Sequence, residues 1–221
     1  MLQQYKKMEQ EMYSKNNCLK FFLIFIFILS LNKNVYSSTD FNYFNYIKNL
    51  KSFSTSFTQH TYEENGSLFS QSFGNLIYKK KSKYILEYRR PNKIKFISDG
   101  SLITTYDEDL EQVIIQSYKS KFKKNIIDIM VDKDFIEKKF IIKIHKIEGE
   151  NHIKFIPLNQ DIEDNTFLLV IKNESIKSIT FMNDFNQSVT MEFKNFTKNA
   201  KILNSSFKID IPENFDVIVD K

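Results

Sequence analysis

Three histidines, His60, His145 and His152, are the side chains of the 184-residue stretch after position 37 best suited to proton transfer or metal binding. On a hairpin spanning 139–157, His145 and His152 can lie diagonally on one face. A zinc centre needs a third protein ligand, and none is spaced to join them, so we read all three as solvated strand histidines. The paired carboxylates Glu63-Glu64 and Asp107-Glu108-Asp109 fall in turns. Two acids that are equally exposed have no reason to hold the divergent proton affinities that acid–base work requires. Gly-x-Ser-x-Gly, a phosphate-cradling glycine loop and His-Glu-x-x-His are all missing from the sequence. Lys79-Lys80-Lys81, flanked by Tyr78 and Tyr84, is the one run with the make-up of a basic, aromatic nucleic-acid surface. These residues favour binding over catalysis, with no metal, no cofactor and no nucleic acid.

The elements that must position these groups are mostly strands. Phe41, Phe44, Ile47 and Leu50 have helical spacing, and Thr39 or Asp40 is placed to cap a helix over 40–50. Period-2 alternation then predicts strands at 52–63, 67–79, 83–89, 93–98, 101–106 and 112–118. Asn65-Gly66 is a hairpin signal, and Gly74 interrupts its strand as a residue at a bulge or bend does. The apolar, non-alternating stretch 124–137 reads as one or two short helices with Ile127 and Met130 on one face. Strands resume at 139–148, 151–157, 166–172, 175–183, 187–197 and 201–211, where Pro212 ends the last and leaves a short tail.

About eleven strands with hairpin spacing make a mainly β protein with one large antiparallel sheet, curled or closed to hide its edges. Tyr84, Leu86 and Tyr88 lie opposite Ile85, and Phe167, Leu169 and Ile171 lie opposite Leu168 and Val170, so these strands are apolar on both faces. Either helices cover part of the outside, or the sheet wraps a cavity for an apolar ligand.

The first 37 residues read differently. Phe21 to Leu29 is an uninterrupted apolar run of nine, preceded by Lys15 and Lys20. As a helix it rises about 14 Å against a hydrocarbon core of roughly 30 Å, which suits a secretory signal and not a span. Val35-Tyr36-Ser37 offers a cleavage site, so 1–37 is expected to be a cleaved signal peptide and 38–221 a single domain. Twenty residues before the apolar run is long for such a signal, which makes Met8 and Met12 alternative starts to Met1. The whole chain of 221 residues is 42% hydrophobic and 27% charged with a net charge of +5, the balance of a folded protein. Removing 1–37 takes five Lys and two Glu, leaving +2 on the remainder, so the basicity belongs mostly to the presequence. Cys18 goes with it; a lipid-attachment cysteine would directly follow the apolar run, and this one precedes it. The expectation is an exported, disulfide-free, unlipidated periplasmic protein.

A more specific signal lies in the order of short motifs. Phe57-Thr58-Gln59 is followed by Ser72-Phe73-Gly74-Asn75-Leu76, Glu87-Tyr88-Arg89-Arg90-Pro91, Ser98-Asp99-Gly100, Tyr106-Asp107 and Glu111-Gln112. This order and spacing resembles the periplasmic outer-membrane lipoprotein carrier family, LolA, over about 40–218. The resemblance implies an unclosed antiparallel β-barrel with a few short helices as lid and plug over an apolar cavity. It implies acylated lipoproteins as cargo, an inner-membrane ABC lipoprotein-release transporter as donor and an outer-membrane acceptor lipoprotein as recipient. A monomer with only transient membrane contact fits that role. By resemblance, Tyr84 falls at the cavity mouth with Leu86 as its same-face neighbour, and Ile127 and Met130 fall on a helix that lines the cavity. Family members carry Arg-Pro where this chain has Lys80-Lys81, and the arginine there bonds the lid-helix backbone. Lys80 takes the place of that lid contact with three rotatable donors and no planar fork, so it holds a lid less rigidly. Rival readings are a LolB-like acceptor or combined carrier and acceptor, and a lipid-independent periplasmic sensor or scaffold on the same fold.

Overall fold

Alternation of apolar and polar residues dominates the chain from Ser52 onward, and nearly every alternating run is a strand. The structure, a computed structural model, describes residues 41–118, 126–158 and 166–220. Helix α1 (Tyr43–Asn49) leads into β1 (Ser52–Tyr62), β2 (Leu68–Lys79), β3 (Lys83–Arg90), β4 (Ile94–Asp99), β5 (Leu102–Asp107) and β6 (Gln112–Ser117). Two short helices follow, α2 (Ile126–Val131) and α3 (Lys133–Lys139). Then come β7 (Phe140–Ile147), β8 (Glu150–Pro157), β9 (Phe167–Lys172), β10 (Ser175–Met182), β11 (Ser188–Lys198), a 3-10 turn (Asn204–Phe207) and β12 (Asp216–Asp220). Asn42–Lys221 packs as one compact unit. The expected signal peptide 1–37 lies outside the described residues.

Among the described residues the strands form one sheet of twelve, ordered β12-β6-β5-β4-β3-β2-β1-β11-β10-β9-β8-β7. β1 is the seam: it pairs with β2 on one side and β11 on the other, joining two meanders. The end strands β12 and β7 do not pair with each other, so the barrel is unclosed. Register shifts at Ser54/Ser56 and Phe73/Gly74 mark bulges, the usual device for bending a broad sheet. Gly74 is needed at the second: a Cβ there would sit 2.0 Å from the Glu87 carbonyl oxygen and 2.6 Å from the Phe57 ring.

Three expectations are corrected. The last alternating run, 201–211, is not a strand. β11 already has β10 and β1 on its two edges, so the chain leaving it finds no free edge. It crosses instead over the outside of β2–β4, where Phe207 is buried and Ser206, Lys208 and Ile209 face Ile77, Ile85 and Ile97. That segment, with its 3-10 turn, is what covers the outward Ile85. The tail after Pro212 is a twelfth strand, and it runs parallel to β6, so the sheet is not wholly antiparallel. Helix α1 is capped by neither Thr39 nor Asp40; the Asn42 side chain accepts from the Asn45 N–H at 2.8 Å.

Candidate functional site

Register assigns every strand residue to one of two faces. The inner face carries Phe53, Thr55 and Phe57 on β1, opposite Tyr78, Leu76 and Gly74 on β2. It continues through Tyr84 and Leu86 on β3 to Ser98 and Phe96 on β4. In the other direction it runs through Phe193, Met191, Ile179, Leu169 and Ile153 to β7. From β3 back through β1 to β8 these apolar groups are buried. On β4–β6 the same face is only half-buried: Ile94, Phe96, Ile103 and Ile114 keep partial exposure. The covered apolar core therefore continues onto a half-exposed shelf, where Ile94, Phe96, Ile103 and Ile114 share the inner face with Ser98, Thr105, Asp107, Gln112 and Gln116.

Three short helices lie on the covered part. Helix α1 buries Tyr43, Tyr46, Ile47 and Leu50, one residue off the face that Phe41 and Phe44 suggest. Tyr43 packs edge-on against Phe155 of β8 at 5.3 Å, and its hydroxyl donates to the Met130 carbonyl of α2. Burial pushes the Tyr43 phenol well above its ordinary value, reinforced by the neighbouring Tyr46, so it stays a donor across the physiological range. The Tyr46 hydroxyl donates to the Glu174 carbonyl at 3.0 Å, and the Lys198 ammonium lies 5.1 Å from the Tyr46 ring centroid. Helix α3 is capped by Asp132, which accepts from the Phe135 N–H at 3.0 Å, and it buries Ile136.

The C-terminal end of α1 is tied down by two side chains. Lys80 Nζ donates to the Lys48 carbonyl at 2.7 Å, and Asn199 Nδ2 donates to the Asn49 carbonyl at 3.3 Å. These oxygens are among the last four of the helix and have no intrahelical donor, and a cation there also meets the negative end of the helix dipole. Tyr84, Leu86, Ile127 and Met130 are all buried, the first pair on the inner face of β3 and the second on one side of α2. Tyr43, Tyr46, Asn199 and the shelf residues were not singled out from the sequence. The shelf was visible as the 94, 96, 103 and 114 alternation, but nothing local says which of two apolar faces stays uncovered.

The remaining candidates become structural. Tyr78 and Tyr84 are buried, so no base can stack on them beside the lysine run. Lys79 Nζ donates to the Ile202 carbonyl at 2.8 Å and holds the crossing segment. Ser98-Asp99-Gly100 is a turn: Asp99 Oδ1 accepts from the Ser101 and Leu102 N–H groups at 2.7 and 2.9 Å, and Ser98 Oγ donates to the Ser82 carbonyl at 2.7 Å. The Leu102 N–H is the chief reason that Asp99 is held below the usual carboxylate range. His145 and His152 are directly opposite one another, not diagonal. His60 bonds Gln71 at 2.8 Å. A cleft of about 330 Å³ lies on the outside between β2–β4 and residues 206–210, but Glu87, Arg89, Lys95, Lys208 and Asp210 line it, which suits no acyl chain.

Fold and site together define a mainly β protein, an unclosed barrel with small helices seated on a largely apolar inner face. Residues 48–210 match the family described as outer membrane lipoprotein carrier protein LolA, and the chain belongs to that family. An outer-membrane lipoprotein carrier protein from Francisella tularensis is 25% identical over 201 residues, covering 90% of this chain and 96% of its own. One from Francisella philomiragia is 28% identical over 204 residues, covering 90% and 97%. A solved structure of an uncharacterized conserved protein from Thermus thermophilus superposes with TM-score 0.52 at 10% identity, over 80% of this chain and 97% of that one, a likeness of fold alone. No helix among the described residues is long and apolar enough to cross a membrane.

Proposed function

We propose that this protein is a periplasmic carrier that binds the acyl chains of lipoproteins leaving the inner membrane and delivers them toward the outer membrane. It works by binding and release, without bond chemistry. The observation that carries this reading is the largely apolar inner face, buried from β3 through β1 to β8 and half-exposed at Ile94, Phe96, Ile103 and Ile114. Each CH₂ buried is worth about 0.8 kcal/mol, so a multiply acylated cargo crosses water only with most of its chains covered. Besides the apolar side chains they bury, the helices are tied by bonds to backbone oxygens at Met130, Glu174 and Lys48, all of which lie outside the strand ladders. Acyl chains enter from the shelf, displace α1 and α2 and lie where Tyr84, Leu86, Ile127 and Met130 now pack. Lys80 then acts as a lid contact. Donor transporter and acceptor lipoprotein exchange cargo at that mouth.

The test is saturable uptake of a fluorescent fatty-acid probe and its displacement by a triacylated peptide. An absence of saturable uptake would sink the proposal. Ile127→Glu places a charge on the buried side of α2 and is expected to abolish uptake while the far-UV spectrum stays β-rich. Unchanged uptake would place the acyl site elsewhere.

A further inference from the structure

The edge hairpin β7–β8 has an arrangement that the carrier reading does not use. On its outward face the cross-strand pairs are Ile141 with Ile156, Lys143 with Lys154, His145 with His152, and Ile147 with Glu150. Like charges directly opposite destabilise a hairpin, so the fold gains nothing from setting lysine against lysine. Within β7, β8 and β9 the one acid is Glu150, which is engaged, 3.2 Å from Lys172 Nζ and 3.8 Å from His152 Nε2; Glu148 lies in the turn beyond Ile147. Neither Lys143 nor Lys154 has an acid within ion-pair distance among the described residues, and both are exposed. Beside them Ile141 and Ile147 are 50% and 52% exposed, and β7 is one of the two end strands of the sheet among the described residues.

We infer that this outward face of β7–β8 is a docking surface for an anionic lipid bilayer. Exposed lysines with no ion-pair partner among the described residues fit lipid phosphates, and the isoleucines on either side of them fit the apolar layer just beneath the headgroups. The exposed isoleucines at both ends of the lysine row are what favour a bilayer over a purely acidic partner. The inference rests on the carrier reading only in that a carrier must visit membranes. It gives that visit a definite face, on the side of the hairpin opposite Ile153 and Phe155.

The experiment places an environment-sensitive dye at Ile147→Cys in a Cys18→Ser background of the full chain. Vesicles of phosphatidylcholine with and without phosphatidylglycerol are then titrated in. The expected result is a blue shift with the anionic vesicles only. A lysine near an anionic surface contributes about fivefold in affinity, so Lys143→Gln with Lys154→Gln weakens the response about 25-fold. Acyl-probe uptake is measured on the same samples, so a failed carrier reading shows as lost uptake and a failed docking surface as a lost shift. No shift, an equal shift with neutral vesicles, or a shift that the double variant leaves unchanged overturns the inference. A dye that responds to polyglutamate but not to vesicles overturns it in favour of an acidic protein.

Discussion

Replacing Tyr43 by Phe removes one oxygen and tests how the helices are held. The Tyr43 hydroxyl donates to the Met130 carbonyl, which lies in the last turn of the six-residue helix α2. That carbonyl has no intrahelical donor, and both residues are buried, so water does not replace the lost phenol. A buried acceptor left without a partner costs about 1–3 kcal/mol. For a domain of this size the melting temperature should fall by roughly 2–4 °C per kcal/mol, hence about 2–12 °C. The phenyl ring still packs on Phe155, so the loss is of the hydrogen bond and not of volume. If the bond exists only while α1 and α2 are seated, their unseated population rises by the same free energy, about 5- to 150-fold. Stopped-flow uptake of an acyl probe should accelerate by up to that factor, with little change in the far-UV spectrum. A melting temperature within 1 °C of the parent together with an unchanged uptake rate would refute the idea that this contact ties lid to plug.

Gly74→Ala must push against the Glu87 carbonyl oxygen at 2.0 Å, so it should cost about 3 kcal/mol; adding Phe57→Leu recovers only part, because the carbonyl remains, and chemical denaturation reads both. Lys80→Gln loses the cation on the Lys48 carbonyl at an exposed site; stability should change by less than about 1 kcal/mol while probe uptake speeds by up to about fivefold, and an unchanged rate would make Lys80 a surface lysine only. Burial also pushes the Tyr88 phenol up to about 12 and raises Tyr43 and Tyr46. In the unfolded chain they ionise near 10, so their contribution is fully present below about pH 10 and is lost as pH climbs to the folded values. Tyr88 alone accounts for roughly 3 kcal/mol of that loss, so urea midpoints should hold flat to about pH 9.5 and drop steeply above it; a flat profile to pH 12 would contradict the burial of these rings.

Alternation was enough to place eleven of the twelve strands, because a strand's side chains point to opposite faces whatever lies beyond it. Local chemistry also sufficed for the Asn65-Gly66 and Ser98-Asp99-Gly100 turns, since positive φ at Gly66 and Gly100 and the Asp99 side-chain bonds involve only neighbouring residues. The motif order from Phe57-Thr58-Gln59 to Glu111-Gln112 named the family that residues 48–210 match. In segment 201–211 the Phe207-Ile209-Ile211 alternation carries no information about whether a strand edge is free. Only the strand order, with β11 enclosed by β1 and β10, decides that. For the same reason the sequence showed Tyr84/Ile85 and Leu168/Leu169 as apolar on both sides without saying what covers each. Which oxygen Lys80 reaches, which carbonyl Tyr43 satisfies and which part of the inner face the helices leave open all depend on groups 32 to 87 residues away or more. Composition and period are properties of neighbours along the chain. Coverage and hydrogen-bond partners are properties of neighbours in space, and the tertiary structure alone decides them.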